Sequence, residues 1–234
     1  MAEVGGGKQL KLTWERRGDA PYKMHSGAAV AHGSMCYFRS GDRYSDDVFG
    51  YDSEKNEWSE LPVCPQSQFQ LAIVNNLLTA VGGASKTIAN CVNDLVSFNG
   101  SEWVKIFPPM PTERLRHAVT TMQNYLIAVG GLETRIAGDL STVEVMDMNT
   151  LEWYTAASLP EHVSDMSATV CEGRLYLIGG YDKNVNSTHA VFTCTLDSLI
   201  RSCHPPSQTP PHTSDASVWQ RVTDVPVEGL LVPP

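Results

Sequence analysis

A glycine pair closes an apolar run three times in this chain, and its spacing constrains the fold more than any other feature does. The pairs are Gly82-Gly83, Gly130-Gly131 and Gly179-Gly180, so successive pairs lie 48 and 49 residues apart. A degenerate copy, CYFRSG, ends at Gly41. Self-similarity at a fixed period of roughly 20–50 residues indicates a repeat architecture, in which each repeat is one supersecondary unit.

Each unit has the pattern of four short strands. The first strand, such as GAAVAH at 27–32, is followed by a two-residue turn whose second residue is Gly or Asn, the types that tolerate positive φ. The second strand is the apolar run before the glycine pair, and its continuity predicts burial on both faces. The third strand alternates, and the fourth begins at a tryptophan. These tryptophans are Trp58, Trp103, Trp153 and Trp219.

Four antiparallel strands in every 45 to 50 residues predict the blades of a β-propeller, an all-β fold. Glycines let neighbouring backbones approach closely, and aromatic rings fill the wedge between blades. The predicted blades cover about 25–63, 67–110, 115–160 and 165–226. Residues 198–217 form a Pro-rich insertion that we expect to be a flexible loop at the outer rim. Residues 1–9 and 227–234 are expected to be tails.

The combination of apolar run, Gly-Gly, an aromatic residue on the third strand (Tyr51, Phe98) and a tryptophan about six residues later resembles the kelch repeat. The resemblance covers residues 10 to about 225. It implies a kelch-type β-propeller that works as a protein-interaction module. The chain resembles the propeller of BTB-kelch adaptors, and we expect no BTB domain in it. Ubiquitin-ligase recruitment and actin binding are family activities for which no distinguishing motif stands here.

The number of blades raises the question of ring closure. Upstream of the four units, residues 10–21 carry one further fourth-strand signature, in which Trp14 matches Trp58. Kelch-type rings usually have five to seven blades, so the resemblance implies an incomplete ring. The missing blades would then come from the rest of a longer chain or from another subunit. A strained, closed ring of four blades is the alternative.

Composition excludes several classes of partner. The net charge is -9, and no Lys/Arg cluster offsets it, which argues against nucleic-acid binding. No apolar stretch reaches the 18 residues of a membrane span, so no membrane partner is expected. The six cysteines include no CxxC, and they predict reduced thiols in a cytoplasmic protein.

No motif predicts catalysis. The glycine pairs belong to the repeat and do not form GxGxxG, and neither a nucleophile motif nor a metal-ligand spacing is present. We therefore predict no enzyme activity, no cofactor and no metal. The alternative is a sugar-type or metal-dependent kelch enzyme that uses the axial pocket.

We expect a partner protein to bind the loops on one propeller face, because rigid strands hold variable loops there. Arginine and tyrosine are enriched at binding hot spots, and an arginine patch would suit an acidic peptide. Arg116 has an alternative role, which is to brace the blade by bonding loop carbonyls near the axis. The predicted partner-binding residues are Arg43, Tyr44, Gln68, Arg114, Arg116, Arg135, His162, Tyr181 and Lys183.

Overall fold

The structure of the chain is a computed structural model that describes residues 15–16, 19–20, 27–41, 47–87, 90–133, 138–207 and 218–222. These residues form four antiparallel sheets of four strands each. The predicted β-propeller of four-stranded antiparallel blades is therefore confirmed. The predicted tails at 1–9 and 227–234 lie outside the described residues, as does Trp14. Of the strand predicted at 10–21, only 15–16 and 19–20 are described, and these have no regular secondary structure.

The strands are numbered in chain order. Blade 1 consists of β1 (Ala29–His32), β2 (Met35–Arg39), β3 (Val48–Asp52) and β4 (Glu57–Glu60). The second repeat contains β5 (Gln66–Ser67), β6 (Gln70–Val74), β7 (Leu77–Val81), β8 (Ala84–Ser85), β9 (Leu95–Phe98) and β10 (Trp103–Lys105). The third contains β11 (Ala118–Met122), β12 (Tyr125–Val129), β13 (Leu132–Glu133), β14 (Gly138–Asp139), β15 (Val143–Asp147) and β16 (Glu152–Ala156). The fourth contains β17 (Val163–Ser164), β18 (Ser167–Cys171), β19 (Arg174–Ile178), β20 (Tyr181–Asp182), β21 (Val191–Thr195), helix α1 (Leu196–Arg201) and β22 (Gln220–Arg221).

Within each blade the strands pair in chain order, from the axis to the rim. Blade 2 is β6-β7-β9-β10, blade 3 is β11-β12-β15-β16 and blade 4 is β18-β19-β21-β22. The first strands of successive blades lie side by side, with β6 between β1 and β11, and β11 between β6 and β18. The first strands are therefore the innermost ones, and they line the axis.

Apolar clusters join each blade to the next. Between blades 3 and 4, Ile127 and Val145 share a core with Leu177 and Phe192, all at most 2% exposed. Similar clusters lie between blades 1 and 2 and between blades 2 and 3. Each fully buried side chain of this kind contributes about 1.5–3 kcal/mol, so the blades are held together mainly by their faces.

The two end blades differ from the inner ones. Ala29 and Ala31 of β1 and Thr169 of β18 are exposed, whereas Leu71 and Ala72 of β6 are buried. Within the described residues, the outer faces of blades 1 and 4, which point away from blades 2 and 3, therefore do not cover each other in the way the inner blades do.

The glycine pairs lie where backbones approach each other, as predicted. A Cβ at Gly83 would lie 2.3 Å from the carbonyl oxygen of Ser67, and one at Gly131 would lie 2.5 Å from that of Leu115. Both glycines have positive φ, at 97° and 92°. A side chain at either position would collide with the chain that enters the first strand of the same blade.

The insertion differs from the prediction in its first half. Residues 196–201 form the helix α1, and Leu199 is fully buried in the core shared by blades 3 and 4. His204 then pairs with Thr155 of β16 through two backbone hydrogen bonds of 2.9 Å. This segment is therefore packed against the neighbouring blade and is not a free rim loop, while residues 208–217 lie outside the described residues. No helix in the described part of the chain is long and apolar enough to span a membrane.

Candidate functional site

One end of the propeller, which we call the loop face, brings two sets of connections together. The segments that enter the first strands pair with the segments that follow the second strands: β5 with β8, and β17 with β20. In blade 3 the same contact is a bridge between Leu115 and Leu132. Because these connections are hydrogen-bonded to each other, the loop face is held in a defined shape on a rigid scaffold.

A cavity of about 840 Å³ opens along the axis at this face. Every blade contributes to its wall, with Gly41 from blade 1, Gln68 entering blade 2, Arg116 entering blade 3 and Asp165 entering blade 4. The last three residues occupy equivalent positions in the repeat, and all have left-handed backbone, with φ of 52°, 55° and 53°. Non-glycine residues rarely adopt this region, so the fold turns three polar side chains toward the cavity at some backbone cost.

Arg116 and Asp165 join blades 3 and 4 at the cavity mouth. The Nε of Arg116 donates a 2.6 Å hydrogen bond to Oδ2 of Asp165, and the terminal nitrogen contacts the same oxygen. The guanidinium also lies 6.0 Å from the ring centroid of Tyr181. The bond to Asp165 raises the pKa of Arg116, so the guanidinium is held charged. All three side chains are more than a third exposed and are open to a ligand or partner.

Arg114 does not belong to this surface, which corrects the sequence prediction for it. Its side chain is fully buried, and its guanidinium pairs with Glu144 at 3.0 Å. It also donates to the carbonyl oxygen of Gly130 at 2.9 Å and to Thr142. Arg114 therefore has the bracing role that is the alternative for Arg116, and it has no exposed surface with which to contact a partner.

Of the other predicted site residues, three are described by the structure and three lie outside the described residues. Gln68 lines the cavity, while His162 and Lys183 are exposed on the loop face. The Nδ1 of His162 lies 2.6 Å from the carbonyl oxygen of Asp139, which anchors its ring. The remaining predicted residues lie outside the described residues; they are Arg43, Tyr44 and Arg135. Of the predicted arginine patch, the described part of the chain exposes Arg116 alone, and Arg116 is paired with Asp165.

Two charged residues of the cavity wall, Arg39 and Asp165, were not among the predicted site residues. The pairing of Asp165 with Arg116 depends on the contact between blades 3 and 4, which no local sequence pattern shows. Arg39 lines the cavity, is 6% exposed, and places its guanidinium 5.6 Å from the centroid of Phe69. A signal for Arg39 did exist in the sequence, since the equivalent positions of the other repeats are the apolar Val81, Val129 and Ile178.

The cavity wall offers groups for hydrogen bonds and ring contacts. Arg116 and Asp165 neutralise each other, Tyr181 offers a ring, and Gln68 can donate and accept hydrogen bonds. Within the described residues, no group of three His, Cys, Asp or Glu side chains is placed to hold a metal ion.

Comparisons with known proteins agree with this architecture. Residues 113–160 match the family profile described as the Kelch motif. The chain is 31% identical to mouse Kelch-like protein 35 over 146 residues, which are 60% of this chain and 24% of the relative. It is 27% identical to Kelch-like protein 40 of Xenopus laevis over 168 residues, 70% of this chain and 26% of the relative. This chain therefore spans about a quarter of the length of these relatives.

A solved structure shares the fold. The protein in "Structure of YjhT" superposes with a TM-score of 0.72 at 16% identity, covering 90% of this chain and 68% of that one. At this identity the likeness concerns the fold alone.

Proposed function

Because this chain is a kelch-repeat β-propeller protein, we propose that it is a non-enzymatic interaction module whose loop face binds a partner protein, as an adaptor does. The observation that carries the proposal is the cavity mouth, where Arg116, Asp165 and Tyr181 are exposed on hydrogen-bonded connections. Rigid connections lower the entropy that binding must offset, which favours a stable complex.

The exposed side chains indicate what kind of partner fits. Tyrosine and arginine are the types most often found at binding hot spots. Since Arg116 is already paired with Asp165, the mouth is close to neutral and suits a polar segment that both donates and accepts hydrogen bonds. Lys183 adds a positive charge at the edge of the mouth, where a carboxylate of the partner would be favourable.

The test is partner capture by a double variant, Arg116→Ala with Tyr181→Ala. We expect the affinity for a partner captured by the unchanged chain to fall by about 10–100-fold, since loss of two hot-spot side chains costs about 1.4–2.8 kcal/mol. The matched control is Glu54→Ala with Glu102→Ala, which changes exposed residues in the turns at the opposite end of the propeller. Equal affinity of the site variant and the control would contradict the proposal.

A second candidate function is recognition of a small polar molecule in the axial cavity. Its volume, about 840 Å³, is in the usual range for small-molecule sites, and its wall combines an aromatic ring with charged and amide groups. Thermal unfolding in the presence of a panel of neutral and acidic monosaccharides tests it. Stabilisation that disappears in Asp165→Asn would favour this function, and an unchanged melting temperature throughout the panel would exclude it for these ligands.

A further inference from the structure

The turn between β9 and β10 carries a pair of residues that can react with each other. Asn99 is the one asparagine in the sequence that is followed by glycine. It lies four residues before Trp103 and is exposed. Because glycine has no side chain to shield its backbone nitrogen, that nitrogen can approach the side-chain carbonyl of the preceding asparagine. The composition of the turn therefore allows a reaction between a side chain and the main chain.

Three donors converge on the side-chain oxygen of Asn99. Its Oδ1 accepts hydrogen bonds from the backbone N–H of Ser101, from the hydroxyl of Ser101 and from the backbone N–H of Glu102, each at 3.0 Å. Donors fixed around a carbonyl oxygen stabilise the negative charge that develops there when a nucleophile attacks the carbon. The turn thus holds the Asn99 amide in the arrangement of a small oxyanion hole.

The atoms that would attack and leave are both accessible. Gly100 is exposed, its φ is 104°, and a Cβ there would meet nothing within 4 Å. Among the described residues, no atom accepts a hydrogen bond from the Gly100 N–H or from Nδ2 of Asn99. A backbone N–H outside the hydrogen-bonded ladder exchanges its proton with solvent more readily than one within it. Solvent can therefore take the proton from Gly100 and supply one to the departing Nδ2.

We propose that Asn99 is a site of spontaneous deamidation in the folded chain, assisted by Ser101. The Gly100 nitrogen gives its proton to a solvent base and attacks Cγ of Asn99, which forms an N–Cγ bond and moves the carbonyl electron pair onto Oδ1. When that pair returns, the Cγ–Nδ2 bond breaks, and Nδ2 takes up a solvent proton and leaves as ammonia. Water then opens the resulting succinimide ring. The net reaction consumes one water and releases one ammonia, with no oxidation or reduction.

Ring opening gives two products that differ in their effect on the turn. Attack of water at Cγ gives aspartate, which keeps an oxygen for the three donors and adds a negative charge. Attack at the main-chain carbonyl carbon gives isoaspartate, which lengthens the main chain by one carbon atom and disturbs the 3.1 Å bond from the N–H of Asn99 to the carbonyl of Glu102. This turn leads into Trp103, whose indole bonds the carbonyl of Pro62 after β4 at 2.6 Å. The isoaspartyl form is therefore expected to loosen the contact between blades 1 and 2.

Peptide mapping by mass spectrometry, after incubation of the full chain at mildly alkaline pH, tests the proposal. The internal control is Asn149, which lies four residues before Trp153 in the corresponding turn of blade 3, is exposed, and is followed by Thr150. We expect the succinimide and its two products to form at Asn99 about tenfold faster or more than at Asn149. Equal rates at the two positions, or no conversion at Asn99, would overturn the proposal.

The variant Ser101→Ala tests the contribution of the turn, since it keeps the Asn-Gly pair and removes one of the three donors. The rate should fall about tenfold, less than the roughly 10²–10³-fold that loss of a donor costs in a site closed to water, because this turn is exposed. Ser53→Ala is the matched control. The Ser53 hydroxyl lies in the corresponding turn of blade 1 and donates to the carbonyl oxygen of Ser34 at 2.8 Å, so its loss should leave conversion at Asn99 unchanged.

The comparison of the two serine variants decides whether the fold assists the reaction. A slower rate in Ser101→Ala alone supports the proposal, since mere loosening of the turn would not remove the need for a donor at Oδ1. A rate in Ser101→Ala that equals that of Ser53→Ala, or exceeds that of the unchanged chain, contradicts it.

Discussion

Arg114 and Arg116 stand two positions apart in the chain, yet they do different work. In extended backbone, residues two positions apart face the same way, but the left-handed backbone of Arg116 breaks this alternation, so Arg114 enters the protein and Arg116 faces the cavity mouth. The repeat pattern predicted that arginines lie on these connections. It could not tell the two apart, because the direction of each side chain depends on a left-handed residue, Arg116 itself, with φ of 55°.

The buried ion pair gives the first residue-scale prediction. Arg114→Met leaves the Glu144 carboxylate, 2% exposed, with Thr112 as a neutral partner only. Removing one partner of a buried pair costs about 3–5 kcal/mol, because the other charge stays buried without compensation. Arg116→Met is the control, since it breaks an exposed pair worth no more than about 1 kcal/mol. Urea unfolding should separate the two, and equal losses would contradict the assignment of roles.

His117 gives the second residue-scale prediction, which concerns how the folding stability depends on pH. Burial lowers its pKa well below 6.5, and the charges of Arg114 and Arg39 act in the same direction. The folded state therefore keeps His117 neutral while the unfolded chain takes up a proton below pH 6.5, so stability is full above that pH and is lost as the pH falls.

The size of this effect can be measured against a variant. Between pH 6.5 and 5.5 the loss should be about 1 kcal/mol, because the unfolded histidine is already half protonated at pH 6.5. Chemical unfolding at several pH values should show a flatter dependence for His117→Gln than for the unchanged chain. The same slope in both proteins would mean that another group controls this pH range.

At the scale of elements, the glycine pairs allow a close backbone contact inside the blade. Gly131 lies between β12 and β13, where a Cβ would meet the carbonyl oxygen of Leu115 at 2.5 Å. Gly173 also has positive φ, at 71°, but a Cβ there would meet nothing within 4 Å. Gly173→Ala should cost about 1 kcal/mol for its backbone conformation alone. Gly131→Ala should cost clearly more, since the entry to β11 must move, and unfolding experiments that rank them the other way would contradict this packing.

The elements also show what the sequence could and could not predict. The strands between the glycine pairs and the tryptophans could be predicted from period-2 patterns and tight turns, because these are local signals. Helix α1 was not predicted because its six residues, next to a Pro-rich stretch, are too few to show a helical periodicity. Its N-cap is Thr195, whose side chain accepts a hydrogen bond from the N–H of Ser198. The short pairs β5–β8 and β17–β20 were missed because they join segments about 18 residues apart that carry no shared pattern.

At the scale of the whole molecule, the protein is a series of similar interfaces that meet at an axis. Stability in such a series is close to a sum of repeat and neighbour contributions, so the two end faces matter more than their size suggests. The outer face of blade 4 carries Arg174, which is bonded to Thr193 and Gln220, and also Tyr176 and Ile178. The outer face of blade 1 carries aromatic rings. The repeat period predicted four blades, but it could not predict the exposure of these two faces, because exposure depends on which residues have neighbours in the folded chain.

The central claim is that partners bind at the loop face, and lysine cross-linking with mass spectrometry tests it most directly. Lys86 and Lys183 lie exposed on the loop face, whereas Lys55 lies exposed in the turn between β3 and β4 at the opposite end. For partners bound to the unchanged chain, we predict cross-links from Lys86 and Lys183 and none from Lys55. Cross-links that come from Lys55 while Lys86 and Lys183 remain unmodified by the partner would place the binding surface at the wrong end and contradict the account.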